Sequence, residues 1–410
     1  MATGGRLARA RPPGERHGLR VLIDCIQIRG GGGLQVALAF LHKASPTSEH
    51  EWHAAVSREV AQELSSDAAA GLSSLHLRRT GGVAATARNA LWIARHERRL
   101  DPDVTFTAFG PAYWRARSPH VQGFARPWML YPRPLELLRP AARRKQALLN
   151  NAHAWFVRRA DHLIVETDTV RERLERYVGV PSHRISVVRN TYSPAFAEAV
   201  ANQPPAPDGG KSLATILVLS AYYVHKNLQI IPRVAERLRR SVGQTFEFLL
   251  TLPADGGPWR RIHEEATSLG VGDLVRTLGI VPHKRVAELY ASASAAFLPT
   301  LLECSTAVYP ESFVAGVPLA TSDIDFAREL CGNAAEYFDP YSPEDAARAL
   351  ERVLTDDERR DELVANGRVV LRTNYVTPEE KWQAQLQCLR VVAEGGKRRP
   401  AKTSGRSRPG

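Results

Sequence analysis

Two glutamates, Glu303 and Glu311, stand eight positions apart in the segment LPTLLECSTAVYPESFVAGVPLATSD (298–323). The apolar run AAFLPT (295–300) reads as a strand leading into a loop that bears Glu303. The spacing then predicts a helix beginning near Ser305 or Thr306, with Glu311 about two turns along. One carboxylate would precede a helix N-terminus and the other would lie on the helix flank. The backbone N–H groups of Ser305, Thr306 and Ala307 would point the same way, and a helix N-terminus attracts phosphate through its unsatisfied donors and dipole. Hydroxyl acceptors at two ends with diphosphate donors between them are what a nucleotide-activated sugar requires. Taken alone, the same two residues also suit a cap and a solvent-facing flank, so the surrounding elements must decide.

A second candidate is RGGGGLQVALAFL (29–41), which follows the apolar, β-branched run LRVLIDCIQI (19–28). Glycine lacks Cβ and accepts positive φ, so Gly31 and Gly32 would let the backbone pass close to a ligand, or would simply make a flexible turn. Four consecutive glycines do not form G-x-G-x-x-G, and no ribose-binding acid stands after the next strand, which argues against a nicotinamide dinucleotide. The four cysteines (Cys25, Cys304, Cys331, Cys388) are scattered without paired spacing and carry no metal or disulfide pattern. Asp323 and Asp325 have a D-x-D spacing but carry little weight as metal ligands, so no metal site is expected.

The elements that must position these residues alternate. Further strand candidates are EWHAAVS (51–57), VTFTAF (104–109), HLIVET (162–167), ISVVRN (185–190), ATILVLSA (214–221), QTFEFLLTLP (244–253), LVRTLGIV (274–281) and VPLATSD (317–323), with helical stretches between them. Strand and helix in alternation read as a parallel sheet covered on both faces. At 410 residues the chain is long enough for two such domains. The expected division is a disordered basic tail at 1–18, a Rossmann-like acceptor domain at 19–200, a Pro-rich linker at 201–212, a Rossmann-like donor domain at 213–377, a helix at 378–394 crossing back to the first domain, and a second disordered basic tail at 395–410. The predicted architecture is α/β, two doubly wound domains facing each other across a cleft. Ligands of open parallel sheets sit beyond the carboxyl ends of the strands, which directs attention to that cleft.

The formal charge of +12 invites a nucleic-acid reading. Most of it lies in the tails: residues 1–20 hold five Arg against Glu15, and residues 395–410 hold six Lys or Arg and no acid. The folded body is close to neutral, and no aromatic residue is interleaved with the tail charges, so nucleic acid is not expected. Solvated ends or attraction to anionic lipid heads account for them. Residues 135–159 are basic and amphipathic, and read either as a face for anionic lipid or as a core-facing helix with a solvated basic side. Trp114, Trp128, Met129 and Tyr131 would fill the first core or line an acceptor groove. His120 reads as a surface residue ahead of its strand. No run is long and apolar enough to span a membrane, and the first residues lack an apolar signal, so a cytoplasmic location is expected, with peripheral contact to the inner membrane face as an alternative.

The segment 298–323 resembles the donor-site signature of glycosyltransferase family 4, whose members have the GT-B fold. Pro299, Thr300, Glu303, Glu311, Ala315, Gly316, Pro318, Ser322 and Asp323 stand in the family's register. The resemblance implies that Glu303 contacts hydroxyls of the transferred sugar and Glu311 the ribose hydroxyls. ATILVLSAYYVHKNLQIIPRVAERL is similar to the family's first strand of the donor domain, with Lys226 and Asn227 at its turn and Lys226 neutralising the departing diphosphate. The family's Arg five residues before that Lys is here Ala221. VRTLGIVPHKRVAELYASASAAFLP resembles the stretch whose backbone, Gly279 through Val281 to Pro282, lies beside the base, and the glycines at 31 and 32 the loop near the diphosphate. The family's catalytic-side His has no counterpart at Phe124 and Ala125, so no general base is named. The resemblance implies a retaining transferase that needs no metal or other cofactor, uses a nucleotide-diphosphate-sugar as co-substrate and a glycan or lipid-linked acceptor, and serves polysaccharide or glycoconjugate synthesis. An epimerase or phosphorylase on the same fold, and a sugar-nucleotide-binding protein without turnover, are the alternatives.

Overall fold

Apolar, β-branched strands that alternate with amphipathic helices can bury both sheet faces only if the helices cover them, and this chain builds that arrangement twice. The computed structural model describes residues 18–44, 49–203, 213–243 and 245–397. The expected tails and most of the expected linker lie outside the described residues. In the first half the order is β1 (Arg20–Cys25), α1 (Gly31–Lys43), β2 (Glu51–Ser57), α2 (Arg58–Glu63), α3 (Ser66–Ala70), β3 (Ser74–Arg78), α4 (Gly82–Leu100), β4 (Val104–Thr107), β5 (His120–Gly123), α5 (Pro140–Val157), β6 (His162–Val165), α6 (Asp168–Arg173), β7 (Ile185–Val187) and α7 (Pro194–Ala201). The second half runs β8 (Leu213–Val218), α8 (Ile231–Ser241), β9 (Thr245–Leu250), α9 (Gly257–Ser268), β10 (Val275–Thr277), α10 (Val286–Ser292), β11 (Ala295–Leu298), α11 (Val308–Ala315), β12 (Leu319–Ser322), α12 (Asp325–Cys331), β13 (Ala335–Phe338), α13 (Pro343–Thr355), α14 (Asp357–Thr373) and α15 (Pro378–Lys397).

The first sheet has the order β3-β2-β1-β4-β5-β6-β7 and the second β10-β9-β8-β11-β12-β13, with parallel pairing throughout. Each sheet reverses its strand order once, between β1 and β4 in the first and between β8 and β11 in the second. At such a switch point the loops diverge to opposite sides and leave a crevice beyond the strand ends.

Two strands escaped the sequence reading, the edge strands β3 and β13. β3 is an edge strand with exposed Leu75 and Leu77, so its two-residue alternation never looked like a buried run. β5 is short and half polar, and it overturns the surface assignment of His120, which is buried as its first residue. The His120 Nε2 meets Thr107 Oγ1 at 2.9 Å, its backbone N–H donates to Asp161, and burial pulls the imidazole down to about 4. A neutral ring with a hydroxyl partner is a satisfied core histidine.

The final helix continues past residue 394 to Lys397 and lies on the first sheet, packing Trp382, Leu386, Leu389 and Ala393 against Phe40 and Trp52. A further apolar cluster joins the halves, with Phe124, Leu130 and Tyr131 from the first and Leu302, Cys304 and Phe326 from the second. Around it Tyr131 and Arg173 bond Asp325, and Glu329 accepts the backbone N–H groups of Asp168 and Thr169 at the start of α6. The two sheets are therefore held with these strand-end loops in contact.

Candidate functional site

β8 and β11 flank the second switch point, and the loops that leave them carry Lys226 and Glu303. The chain after β8 makes a short 3-10 turn (Val224–Lys226) and reverses at Asn227, whose φ of 56° is left-handed. Asn tolerates that region better than most residues because its short polar side chain bonds locally. The Asn227 amide donates to the Pro340 carbonyl at 2.8 Å and accepts from Gln229 at 2.9 Å, so its side chain fastens the turn to the sheet. The carbonyl of His225 accepts from the Leu301 N–H (2.7 Å) and from Thr300 Oγ1 (3.2 Å), which ties the two loops together.

That tie sets Lys226 Nζ against Glu303 Oε1 in an ion pair with both side chains almost buried, and Thr300 Oγ1 donates to the same oxygen at 3.3 Å. Removing one member of such a pair leaves the other uncompensated, at about 3–5 kcal/mol. His225 is held between the rings of Tyr223, stacked at 5.4 Å, and Trp128 of the first half, edge-on at 5.7 Å. Burial first, and the Lys226 charge second, drive its imidazole down to about 3, so the ring is neutral and the positive charge here belongs to Lys226.

The helix predicted from Ser305 or Thr306 begins instead at Val308, with Ala307 as its cap, and Glu311 sits in its first turn. Pro310 explains the shift. In a helix starting earlier its missing N–H and its ring would break the ladder, whereas the first turn tolerates both. Ser305 to Ala307 thus form a loop: Ser305 Oγ accepts from Asn190 of the first half (3.0 Å) and Thr306 Oγ1 from the Val308 N–H (3.4 Å). Among the described residues, the N–H groups of Ser305, Thr306 and Ala307 have no acceptor.

Glu311 is buried, its Oε2 3.4 Å from the Tyr290 hydroxyl. Burial pushes its carboxyl up to about 7, and the Tyr290 hydrogen bond only partly offsets this. A buried carboxyl poised near neutrality accepts hydrogen bonds strongly once a ligand supplies donors.

Gly279, with a φ of 75°, turns the chain after the edge strand β10 in an open stretch, and Val281 packs against the shared apolar cluster. In the first half, Gly31 (φ 63°) and Gly32 open α1 at the end of β1, beside the first switch point, with nothing within 4 Å of where a Cβ would stand. The structure therefore brings Lys226, Glu303 and Thr300 into contact and keeps Glu311 on the adjoining helix. It ties Ser305 to the other half and leaves the glycines open.

Asp323 is held by Arg328 in two bonds of 2.7 Å, and Asp325 by Arg173 and Tyr131, so both carboxylates are engaged by protein groups. Of the three aromatic candidates, Trp114 is buried with its Nε1 on Asp24 at 2.9 Å and Tyr131 is buried, while Trp128 faces His225.

Sequence reasoning missed Asn190. Its amide bonds Ser305, its Oδ1 accepts from Lys381 of α15 at 2.7 Å, and its carbonyl accepts from the Val376 N–H. Lys381 in turn reaches Glu166 at 2.7 Å. A polar residue just past a strand's carboxyl end was the available signal. Tyr290 left none, because its link to Glu311 spans 21 positions.

Two family models match the chain: Glycosyltransferase Family 4 over residues 31–196 and Glycosyl transferases group 1 over residues 205–370. The D-inositol 3-phosphate glycosyltransferase of Thermobifida fusca (strain YX) is 26% identical over 225 residues, covering 51% of this chain and 50% of that protein. The chain spans about half the length of the curated relatives it matches first. Among solved structures, sucrose-phosphate synthase from Thermosynechococcus elongatus superposes with a TM-score of 0.71 at 15% identity, over 92% of this chain and all of that one. HepE from Anabaena, solved in complex with UDP and glucose, gives 0.66 at 15% identity, over 91% and 100% of the two chains. The family models adjoin near the linker, one covering the first sheet except β1 and the other the whole second sheet, and the chain belongs to the family 4, group 1 glycosyltransferases of GT-B fold.

Proposed function

We propose that this protein is a retaining, metal-independent glycosyltransferase that moves a sugar from a nucleotide-diphosphate donor to a glycan or lipid-linked acceptor, in cell-surface polysaccharide or glycoconjugate synthesis. One observation carries the reading: the strands flanking the second switch point deliver an ion-paired Lys226 and Glu303 beside a helix whose first turn holds the buried Glu311. Glu311 would accept the ribose hydroxyls, and the free N–H groups of Ser305 to Ala307 would receive the diphosphate. Glu303 would take hydroxyls of the transferred sugar. The backbone at Gly279 and Val281 would border the base, and Gly31 and Gly32 would admit the phosphates from the other side of the cleft.

In the transfer, the bond from the anomeric carbon to the diphosphate oxygen breaks and a bond to the acceptor oxygen forms on the same face. The acceptor proton passes to the leaving diphosphate. Lys226 stabilises the negative charge that develops there, in a site from which water is largely excluded. Such a route needs no protein base, which suits a chain with Phe124 and Ala125 where a histidine would otherwise approach the sugar. Metal independence is favoured because Asp323 and Asp325 are committed to Arg328, Arg173 and Tyr131. Among the described residues no helix is long and apolar enough to cross a membrane, and a cytoplasmic site of action is part of the proposal.

A thermal-shift screen with UDP-, GDP- and ADP-sugars tests the donor assignment, since a ligand at 100 times its Kd adds about 2.7 kcal/mol to stability. One donor should stabilise the protein and Glu311→Ala should abolish that shift. An unchanged shift in the folded variant would overturn the assignment. Ala221 favours one second reading, a protein that holds the donor without turnover. Release of nucleotide diphosphate in the presence of acceptor decides between them.

A further inference from the structure

We propose that the face of the first sheet carrying α4 and α5 is a docking surface for an anionic lipid bilayer, with α5 as its leading element. From Arg139 to Arg159 the chain holds Arg139, Arg143, Arg144, Lys145, Arg158 and Arg159 and no acidic residue. The sequence alone left open whether this segment faces the core. In the structure α5 buries only His153, Ala154 and Val157, near its C-terminal end. Leu148 is 72% exposed and Trp155 48%, and Leu149 also stands in solvent. Among the described residues none of Arg139, Arg143, Arg144 and Lys145 makes an ion pair. The Arg159 guanidinium lies over the Trp155 ring at 3.4 Å, coupling a cation to the exposed indole.

α4 continues the same surface. On β1, Val21, Ile23 and Cys25 belong to the cluster under α1 and α15, while Leu22, with Ile26 just past the strand, joins Ile93 of α4 in another cluster. On β6, Ile164 joins the first of these clusters and Leu163 and Val165 turn away from it, toward Ala154 and Val157 of α5. The two helices therefore share the face opposite α1 and α15. A groove of about 300 Å³ on α4 is lined by Arg88, Leu91, Trp92, Arg95, His96 and Arg99, with Leu91 58% exposed at its rim.

Unpaired cations would suit any polyanion, but large apolar side chains held in water between them select a surface with an apolar layer behind its charges. The surface also lies at the cleft. Asn150 of α5 donates to the Trp128 carbonyl at 2.7 Å, and the Trp128 ring packs on His225, the neighbour of Lys226. Docked in this way, the protein would present its cleft to an acceptor held in the bilayer, a consequence that rests on the transfer reading above, whereas the docking does not.

The test is sedimentation of the full-length protein with vesicles of phosphatidylcholine containing 30% phosphatidylglycerol and with phosphatidylcholine alone. Binding should require phosphatidylglycerol. R143A/R144A/K145A should weaken it about 100-fold, since each basic residue near an anionic surface contributes a factor of roughly 5. L148S/L149S should leave weak binding that salt abolishes, and R88A/R95A/R99A should weaken it in its own right. All three variants should retain the donor thermal shift, which reports a folded protein with an intact donor site. Absence of vesicle binding, equal binding to both vesicle types, or undiminished binding by the α5 variant would overturn the proposal, the last by assigning attachment to the basic ends of the chain. Vesicle binding without any sugar transfer would leave the surface standing and remove the proposed function.

Discussion

The loop-and-helix stretch around α11 and the helix α5 treat charge in opposite ways. In the first, three ionisable side chains are buried or nearly so and every one has a partner: Lys226 on Glu303, Glu303 on Thr300 as well, and Glu311 on Tyr290. In the second, cations and large apolar groups stand side by side in solvent. Buried charge is tolerated only where geometry is tightly fixed, so the stretch around α11 has little freedom in residue type or spacing. Exposed charge on α5 obeys no such constraint. The difference accounts for a segment at 298–323 whose register was legible in the sequence and a helix α5 whose exposed face was not.

The sharpest way to break this contrast is to remove Lys226, the cation proposed to stabilise the leaving diphosphate. Lys226→Ala should lower kcat by about 100- to 1,000-fold, the usual loss for a preorganised transition-state charge, with a smaller change in donor Kd. Because the buried Glu303 is then unpaired, Tm should fall too. Lys226→Met with Glu303→Gln should recover Tm but not kcat, and recovery of both would remove the catalytic role.

Glu311 comes next. Its carboxyl sits near 7 when the site is empty, and ribose hydroxyls donating to it would favour the charged form. Donor binding should then release a proton below about pH 7, and affinity should rise with pH until the empty-site value is passed. Calorimetry in buffers of different ionisation enthalpy reads this directly, and Glu311→Gln should erase it. The sign for stability runs the other way. A carboxyl raised above its unfolded value destabilises the empty fold increasingly from about pH 4.5 to 7, so Glu311→Gln should stabilise the empty protein at pH 8 by up to about 3 kcal/mol.

The open side should respond differently. Gly32 has nothing near its missing Cβ, so Gly32→Val should alter stability by less than about 1 kcal/mol. If the diphosphate passes there, kcat/KM should nevertheless drop about 10-fold, the effect expected when a backbone approach is blocked. An unchanged kcat/KM would assign the glycines to a simple turn. Tyr290→Phe should have the smallest effect, within about 1 kcal/mol of stability and donor affinity, because its hydroxyl makes only long contacts, 3.4 Å each to Glu311 and the Val308 carbonyl.

By itself the sequence determined the repeated strand and helix alternation, the two sheets it implies, and the register of Glu303 and Glu311, because periodicity and motif spacing are local properties of a chain. It misjudged the start of α11 by overlooking Pro310, it lost β3 and β13 because short edge strands carry no long apolar run, and it set His120 ahead of β5 when the residue opens that strand. Only the tertiary structure decided that Lys226 meets Glu303 across 77 positions, that Asn190 joins Ser305 to Lys381, and that the apolar residues of α5 point outward. Those facts depend on which strands become neighbours in a sheet and which helix face remains uncovered. Packing sets both, through contacts between residues far apart in the chain.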